Sequence, residues 1–267
     1  MPEGDTVFLA ATRLNRALAQ RDLTKTDFRV PRYATVDLAG RTVEEVTSRG
    51  KHILFHIEGG VVLHTHFKME GSWDLYRPGE RWHGPGWQVR VVLETESWVA
   101  VGFRLPVIDL LQKGEEAAVV GHLGPDPLRD WDEDEALRRL EARSKDSIGE
   151  ALLDQSVIAG LGNVYKSEIC FLRGLHPLTP VGAVDDLGPV VVLAKRLLEA
   201  NRATGNQITT GDARRGRTRW VYGREGQPCR RCRTTIERLQ QTAQGFERVT
   251  YLCPSCQPSV VKENTPR

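Results

Sequence analysis

Two short stretches near the end of the chain, Cys229-Arg230-Arg231-Cys232 and Cys253-Pro254-Ser255-Cys256, hold four of its five cysteines. Two residues separate the thiols in each pair, and twenty residues separate the pairs. Paired Cys-x-x-Cys units at this spacing supply the four thiolates of a tetrahedral zinc site, and they argue for metal in a reducing compartment rather than disulfides. Between them, Thr234-Thr235-Ile236-Glu237 and Arg248-Val249-Thr250-Tyr251-Leu252 read as two strands of a hairpin, with Gly245 near its tip. So short a hairpin has almost no core, and metal binding supplies its folding energy. Four thiolates leave no open coordination position, so the expected cofactor is one structural Zn2+ per chain. Cys170 stands alone among apolar residues and reads as a core side chain.

Upstream, eight arginines and one acid, Glu225, lie between residues 214 and 233. Such a run attracts phosphates, with a solvated loop as the plain alternative. Farther upstream the apolar spacing is helical over 132–142, 147–158 and 164–172, and again from Pro189 through Leu193, Leu197 and Leu198. This is a small helical bundle. Its turn Ala159-Gly160-Leu161-Gly162-Asn163 offers glycines for positive φ and close backbone approach, then a helix N-terminus with free N–H groups and the Asn163 amide. A phosphate clamp fits this chemistry, and a tight interhelical turn fits it equally. The breaker-rich Gly121-His122-Leu123-Gly124-Pro125-Asp126-Pro127 marks a linker.

From Leu23 to about Leu111 the pattern changes to short alternating or β-rich runs, among them Ile53-Leu54-Phe55-His56-Ile57 and Val89-Arg90-Val91-Val92-Leu93. Turn signals such as Glu58-Gly59-Gly60 separate them, which predicts a β-sandwich. Ser48-Arg49-Gly50-Lys51-His52 sets positive side chains on a glycine turn before a strand. His64-Thr65-His66-Phe67-Lys68-Met69-Glu70-Gly71 ends another strand with a basic residue and an apolar Met. His64 and His66 share a strand face; with no third ligand nearby, a packed or hydrogen-bonded pair is expected rather than a metal site. Ahead of the strands, Asp5 or Thr6 caps a predicted helix that buries Val7, Ala10, Ala11, Leu14, Ala17 and Leu18. The chain starts Met1-Pro2-Glu3-Gly4. Removal of Met1 exposes a secondary amine on Pro2, which titrates near 8 and forms an iminium with a carbonyl-like carbon. No apolar run approaches the ~18 residues of a membrane span, and a signal-peptide core is not recognisable.

In this order, the parts resemble the formamidopyrimidine-DNA glycosylase and endonuclease VIII family. The resemblance rests on Pro2-Glu3-Gly4, Gly50-Lys51-His52, Gly124-Pro125-Asp126, Asp154-Gln155 through Gly160-Leu161-Gly162-Asn163-Val164-Tyr165, and the cysteine hairpin. It implies an α+β multidomain chain: an N-terminal β-sandwich with a buried N-terminal helix, a helix-two-turn-helix domain and a four-cysteine zinc hairpin, gripping DNA between two lobes. The corresponding boundaries are 1–118, a linker at 119–130, 131–222, 223–258, and a disordered tail at 259–267.

Carried over residue by residue, the resemblance makes Pro2 the nucleophile, Glu3 the acid/base group and Lys51 the holder of a phosphate beside the lesion. Gly162, Asn163 and Arg248 flank the flipped nucleotide on its phosphates, and Met69 fills the void. Cys229, Cys232, Cys253 and Cys256 bind the zinc. Two departures bear on substrate: Asp5-Thr6 follows Gly4, and Val101-Gly102-Phe103-Arg104-Leu105-Pro106 stands where the purine-repair branch carries Asp-Pro-Arg-Arg-Phe-Gly. With Phe246 before the last cysteine pair, the chain is closer to the endonuclease VIII branch. The expected function is a bifunctional glycosylase and β,δ-lyase for oxidised pyrimidines, a monomer acting on damaged DNA in the cytoplasmic nucleoid. The alternatives are an oxidised-purine glycosylase of the same family and a damage-binding protein without base excision. A bare zinc-ribbon module leaves the N-terminal two-thirds unexplained.

Overall fold

The computed structural model describes residues 2–243 and 246–259, which divide into two compact units at residues 122 and 123. Met1, the hairpin tip at Gly245 and all of the expected tail after Ser259 lie outside the described residues.

The first unit runs through α1 (Gly4–Leu18), β1 (Arg21–Asp22), β2 (Lys25–Phe28), β3 (Thr42–Arg49), β4 (His52–Ile57), β5 (Val61–His66), β6 (Ser72–Tyr76), β7 (Val89–Glu94), β8 (Val99–Phe103), β9 (Val107–Gln112) and α2 (Ala117–Val120). The strands form two antiparallel sheets, ordered β1-β3-β4-β5-β9 and β2-β7-β8-β6. Strand side chains alternate between faces. Ile53, Phe55, Ile57 and Leu63 from one sheet therefore meet Phe28, Trp73, Val91, Leu93 and Ala100 from the other in one buried cluster, the predicted sandwich. Val7, Ala11, Leu14 and Leu18 of α1 join that cluster. The helix starts earlier than the capping residues suggest: Glu3 holds the N-cap position, its carbonyl accepts from the Val7 N–H at 3.0 Å, and Asp5 lies buried in the first turn.

The second unit contains α3 (Glu133–Glu141), α4 (Ile148–Ala151), α5 (Asn163–Arg173), α6 (Gly188–Asn201), β10 (Glu237–Ala243) and β11 (Phe246–Leu252). Asp132 caps α3 by accepting from the Glu135 N–H, and Ser147 and Glu150 close a capping box on α4. The helix expected over 147–158 stops after one turn. Asp154 Oδ1 accepts from both the amide and the hydroxyl of Ser156, at 2.8 and 2.7 Å, a local bond that competes with helix continuation. Gly174, at φ +69°, ends α5 in the left-handed conformation. Leu140, Ile148, Leu161, Tyr165, Ile169, Val190 and Leu198 form the helical core. In the hairpin the first strand begins at Glu237 rather than Thr234. Residues 234–236 instead fold back on 227–229, with Cys229 N–H donating to the Thr234 carbonyl and Ile236 N–H to that of Gln227. Among the described residues no helix is long and apolar enough to cross a membrane.

Candidate active site and metal centre

That fold-back brings the two cysteine pairs together. All four sulfur atoms lie within 4.8 Å of one another, with Cys229–Cys256 at 3.9 Å, Cys232–Cys256 at 3.5 Å and Cys232–Cys253 at 3.4 Å. A tetrahedron with Zn–S bonds of about 2.3 Å has sulfur–sulfur edges of about 3.8 Å, so the donor set fits one zinc ion. Burial pushes the Cys253 and Cys256 thiols up, whereas hydrogen bonds from Thr234 bring Cys232 down to about 6. A bound divalent cation overrides these differences and holds all four as thiolates. Cys170 is wholly buried, and burial drives its thiol up to about 12, which makes it inert at neutral pH.

In the first unit, Pro2 precedes a fully buried Glu3 at the start of α1. The helix is fixed by its apolar face and by Asn15, whose Oδ1 accepts from the Val46 N–H at 2.7 Å. Lys51 sits on the two-residue turn between β3 and β4, where Gly50 takes φ +56°. Met69 is 59% exposed in the loop at 67–71. Gly71 closes that loop by donating to the Phe67 carbonyl, which a side chain at 71 would strike at 2.8 Å. His52 pairs across the sheet with His66, so the Lys51 turn and the Met69 loop share one end of the sheet.

The histidines of that face are hydrogen-bonded, as the strand pair predicts. His64 Nδ1 lies 3.0 Å from Asp109 Oδ2, and His64 Nε2 lies 2.8 Å from His52 Nδ1. A carboxylate only accepts, so neutral His64 donates to Asp109 through Nδ1 and accepts from His52 through Nε2. Burial first, then the neighbouring His66, His64, His122 and Lys68, pushes His52 down to about 2. Burial with Lys68, Lys51 and His64 takes His66 to about 3. The cluster is thus neutral at pH 7. Among the described residues the four cysteines are the only group with metal-ligand geometry.

In the second unit, Gly162 is the extended N-cap residue of α5, while the positive φ of this turn falls on Gly160, at +90°. Asn163 is nearly buried, and its Nδ2 donates to the Val249 carbonyl at 2.6 Å, beside Arg248. Arg248 lies opposite Gln241 on the hairpin. The turn before α5 and the hairpin are therefore joined at the residues proposed from sequence as a clamp.

Three family models match in sequence order: the formamidopyrimidine-DNA glycosylase N-terminal domain over residues 1–105, the H2TH domain of the same enzymes over 123–198, and a zinc finger found in FPG and IleRS over 226–258. A "Probable endonuclease 8 2" of Streptomyces coelicolor is 55% identical, covering 96% of this chain and 94% of its own. The chain belongs to the formamidopyrimidine-DNA glycosylase/endonuclease VIII family. The "DNA-(apurinic or apyrimidinic site) lyase Nei2" of Mycolicibacterium smegmatis is 50% identical over 96% of this chain and 99% of that one. The Lactococcus lactis formamidopyrimidine-DNA glycosylase bound to DNA containing an AP site has the same fold, with a TM-score of 0.80 at 22% identity over 96% of this chain and 100% of that chain.

Two features of this family member escaped the sequence reading. Lys166 of α5 is fully buried, and its Nζ donates to Thr250 Oγ1 and, at 3.4 Å, to Gln241 Oε1, tying α5 to both hairpin strands. Gln241 Nε2 continues the connection to Ser147 Oγ at 2.7 Å. Glu168, also fully buried, accepts from the N–H groups of Trp220, Val221 and Tyr222, each at 2.8 Å. The available signal was two charged residues, Lys166 and Glu168, in the middle of a helix whose neighbouring positions Val164, Tyr165, Ile169 and Phe171 are apolar. The arginine run beside them is partly built into the fold: Arg214 pairs with Asp212, and Arg231 lies over the rings of Phe171 and Trp220.

Proposed function

We propose that this chain is a bifunctional DNA glycosylase and AP lyase of base excision repair, acting as a monomer in the cytoplasmic nucleoid on oxidised bases, pyrimidines foremost. Family membership supports the reaction class, and the names carried by the two bacterial relatives support the endonuclease VIII branch. The observation that carries the reading is the Pro2-Glu3 pair at the start of a helix built into the core, because a nucleophile must be held still to be positioned.

With Met1 removed, Pro2 presents a secondary amine of which roughly a tenth is neutral at pH 7. Its lone pair attacks C1′ of a nucleotide turned out of the stack. The bond from C1′ to the base breaks, and the base leaves with the electron pair and takes up a proton. The substituted Pro2 nitrogen then gives up its proton, and Glu3 in its acid form protonates the ring oxygen as the C1′–O bond breaks, leaving an iminium on Pro2 and a carboxylate on Glu3. Loss of a C2′ proton expels the 3′ phosphate, a further elimination expels the 5′ phosphate, and water then hydrolyses the iminium to restore the amine. Lys51 holds the phosphate beside the lesion; Gly162, Asn163 and Arg248 hold the flanking ones; Met69 occupies the vacated stack. In this scheme residues 1–118 carry the chemistry, while 131–222 and the zinc hairpin at 223–258 bind the backbone.

Borohydride trapping on abasic DNA tests the reading. Protein beginning at Pro2 forms a covalent adduct, protein with Met1 retained forms none, and Glu3→Gln loses base excision while still processing a preformed abasic site. Full trapping by the blocked protein removes Pro2 as nucleophile and makes Lys51 the first replacement to test.

A further inference from the structure

The short 3-10 turn Gly86–Gln88 carries a side chain that the reaction above does not use. Trp87 is 74% exposed, more than Met69, Leu178 and Val192, the other exposed large apolar side chains among the described residues. The turn itself is firmly held. Arg29 Nη1 donates to the Gly86 carbonyl at 3.2 Å, Arg90 Nη1 to the Trp87 carbonyl at 2.9 Å, and the Arg104 N–H to the Gln88 carbonyl at 2.8 Å. Three elements therefore fix the backbone while the indole points into water. Most exposed apolar side chains need no explanation, but a clamped tryptophan gains nothing from this placement in the free protein.

The same turn adjoins the Met69 loop through one side chain. Arg104 Nε donates to the Glu70 carbonyl at 3.2 Å, and its Nη1 donates to Gln88 Oε1 at 2.9 Å. A single guanidinium thus spans from the neighbour of Met69 to the neighbour of Trp87. Arg104 and Lys68 both take positive φ, +46° and +49°, in a region that non-glycine residues avoid unless the surroundings impose it. Charge adds a third observation. Arg29 is neutralised by Asp27 at 2.8 Å, but Arg90 and Arg104 contact only carbonyl and amide oxygens among the described residues. Two guanidinium charges without a carboxylate partner among the described residues thus sit on the turn that carries the exposed indole, one at the Trp87 carbonyl and one at the Gln88 side chain.

Aromatic faces next to uncompensated cations are the composition of a base-stacking platform. We propose that Trp87 is a second base-contacting side chain, which stacks on a DNA base exposed by the duplex distortion while Arg90 and Arg104 balance nearby phosphate charge. This deepens the glycosylase reading and rests on it. Met69 and Trp87 then act on either side of Arg104, one entering the stack and the other receiving a base.

The test compares wild type, Trp87→Ala and Trp87→Phe on duplexes carrying a tetrahydrofuran abasic analogue, with 2-aminopurine opposite the analogue or five pairs away. Trp87→Ala is expected to bind roughly tenfold more weakly. It also loses the quenching of 2-aminopurine opposite the lesion, while Trp87→Phe keeps much of both and the distant probe does not respond. Thermal unfolding should be unchanged, since the side chain packs on little. Equal affinity and equal quenching in wild type and Trp87→Ala overturn the proposal, as does concentration-dependent self-association that Trp87→Ala abolishes. If borohydride trapping by wild type on abasic DNA fails, the glycosylase reading falls instead; intact trapping with no Trp87 effect removes only this inference.

Discussion

The N-terminal sandwich and the C-terminal hairpin are both antiparallel, yet different forces hold them. Phe55, Ile53 and Leu63 of one sheet pack on Val91, Leu93 and Trp73 of the other, so the sandwich is held by buried apolar surface. In the hairpin strands, the buried residues among those described are Gln241, Thr250 and Leu252, of which Gln241 and Thr250 bond to Lys166 of α5, and the small cluster beside them includes Cys229 and Cys253. Two strands alone are marginal in water. The hairpin persists through thiolate coordination and a polar junction, in which Lys166, Gln241, Thr250 and Ser147 satisfy one another away from solvent. The comparison teaches that the part expected to touch phosphate is positioned by directional bonds, and the part carrying the amine by packing.

The sharpest way to break this comparison is to remove the metal. Apparent zinc-binding energies of structural sites are about 10–16 kcal/mol at pH 7, so chelation or Cys253→Ser should unfold residues 229–256 and abolish tight DNA binding. Hydrogen exchange in β4 and β5 should stay slow, and elemental analysis of the reduced protein should find one zinc per chain. Protection of the hairpin amides after complete chelation would show that the polar junction suffices alone.

Acid should act on the other partner in the comparison. His52 and His66 have folded values near 2 and 3, below the unfolded value near 6.5, so the unfolded chain binds more protons below pH 6.5. Their stabilising effect is complete above pH 6.5 and is lost as pH falls towards 3. Two such groups set a ceiling of about 3 kcal/mol on the loss from pH 6.5 to 5, and screening brings it to roughly 1–3 kcal/mol. Exchange from β4 and β5 followed across this range should accelerate, and His52→Gln should flatten the dependence. A sandwich equally protected at pH 6.5 and 5 would contradict the neutral cluster.

The smallest effect belongs to the clamp. Arg248→Ala should weaken binding to abasic DNA by less than tenfold and reduce the log–log salt slope by about 0.9, the share of one phosphate contact. Fluorescence anisotropy at several salt concentrations measures both. An unchanged slope returns Arg248 to an ordinary surface role.

Local signals in the sequence were sufficient for much of this. The cysteine spacing, the alternation across Ile53, Phe55 and Ile57, and the apolar period of α1 and α5 each report on residues a few positions apart, and backbone geometry converts such spacing directly into a shared face. Capping was less legible. Asp5 has the chemistry of a cap, yet it lies buried in the first turn and Glu3 occupies the cap position; Asp154 ended a helix that the apolar pattern continued.

Sequence by itself determined the zinc ligands, the sandwich and helical parts, the family, and Pro2-Glu3 as the residues to test. Tertiary structure alone decided that His64 meets Asp109, forty-five residues away, that Lys166 finds Thr250 and Gln241 inside the second unit, and that Trp87 rather than Trp73 faces water. The reason is physical. A spacing rule reads neighbours along one element, whereas the cost of burying a charge or exposing an indole depends on partners brought in from distant parts of the chain.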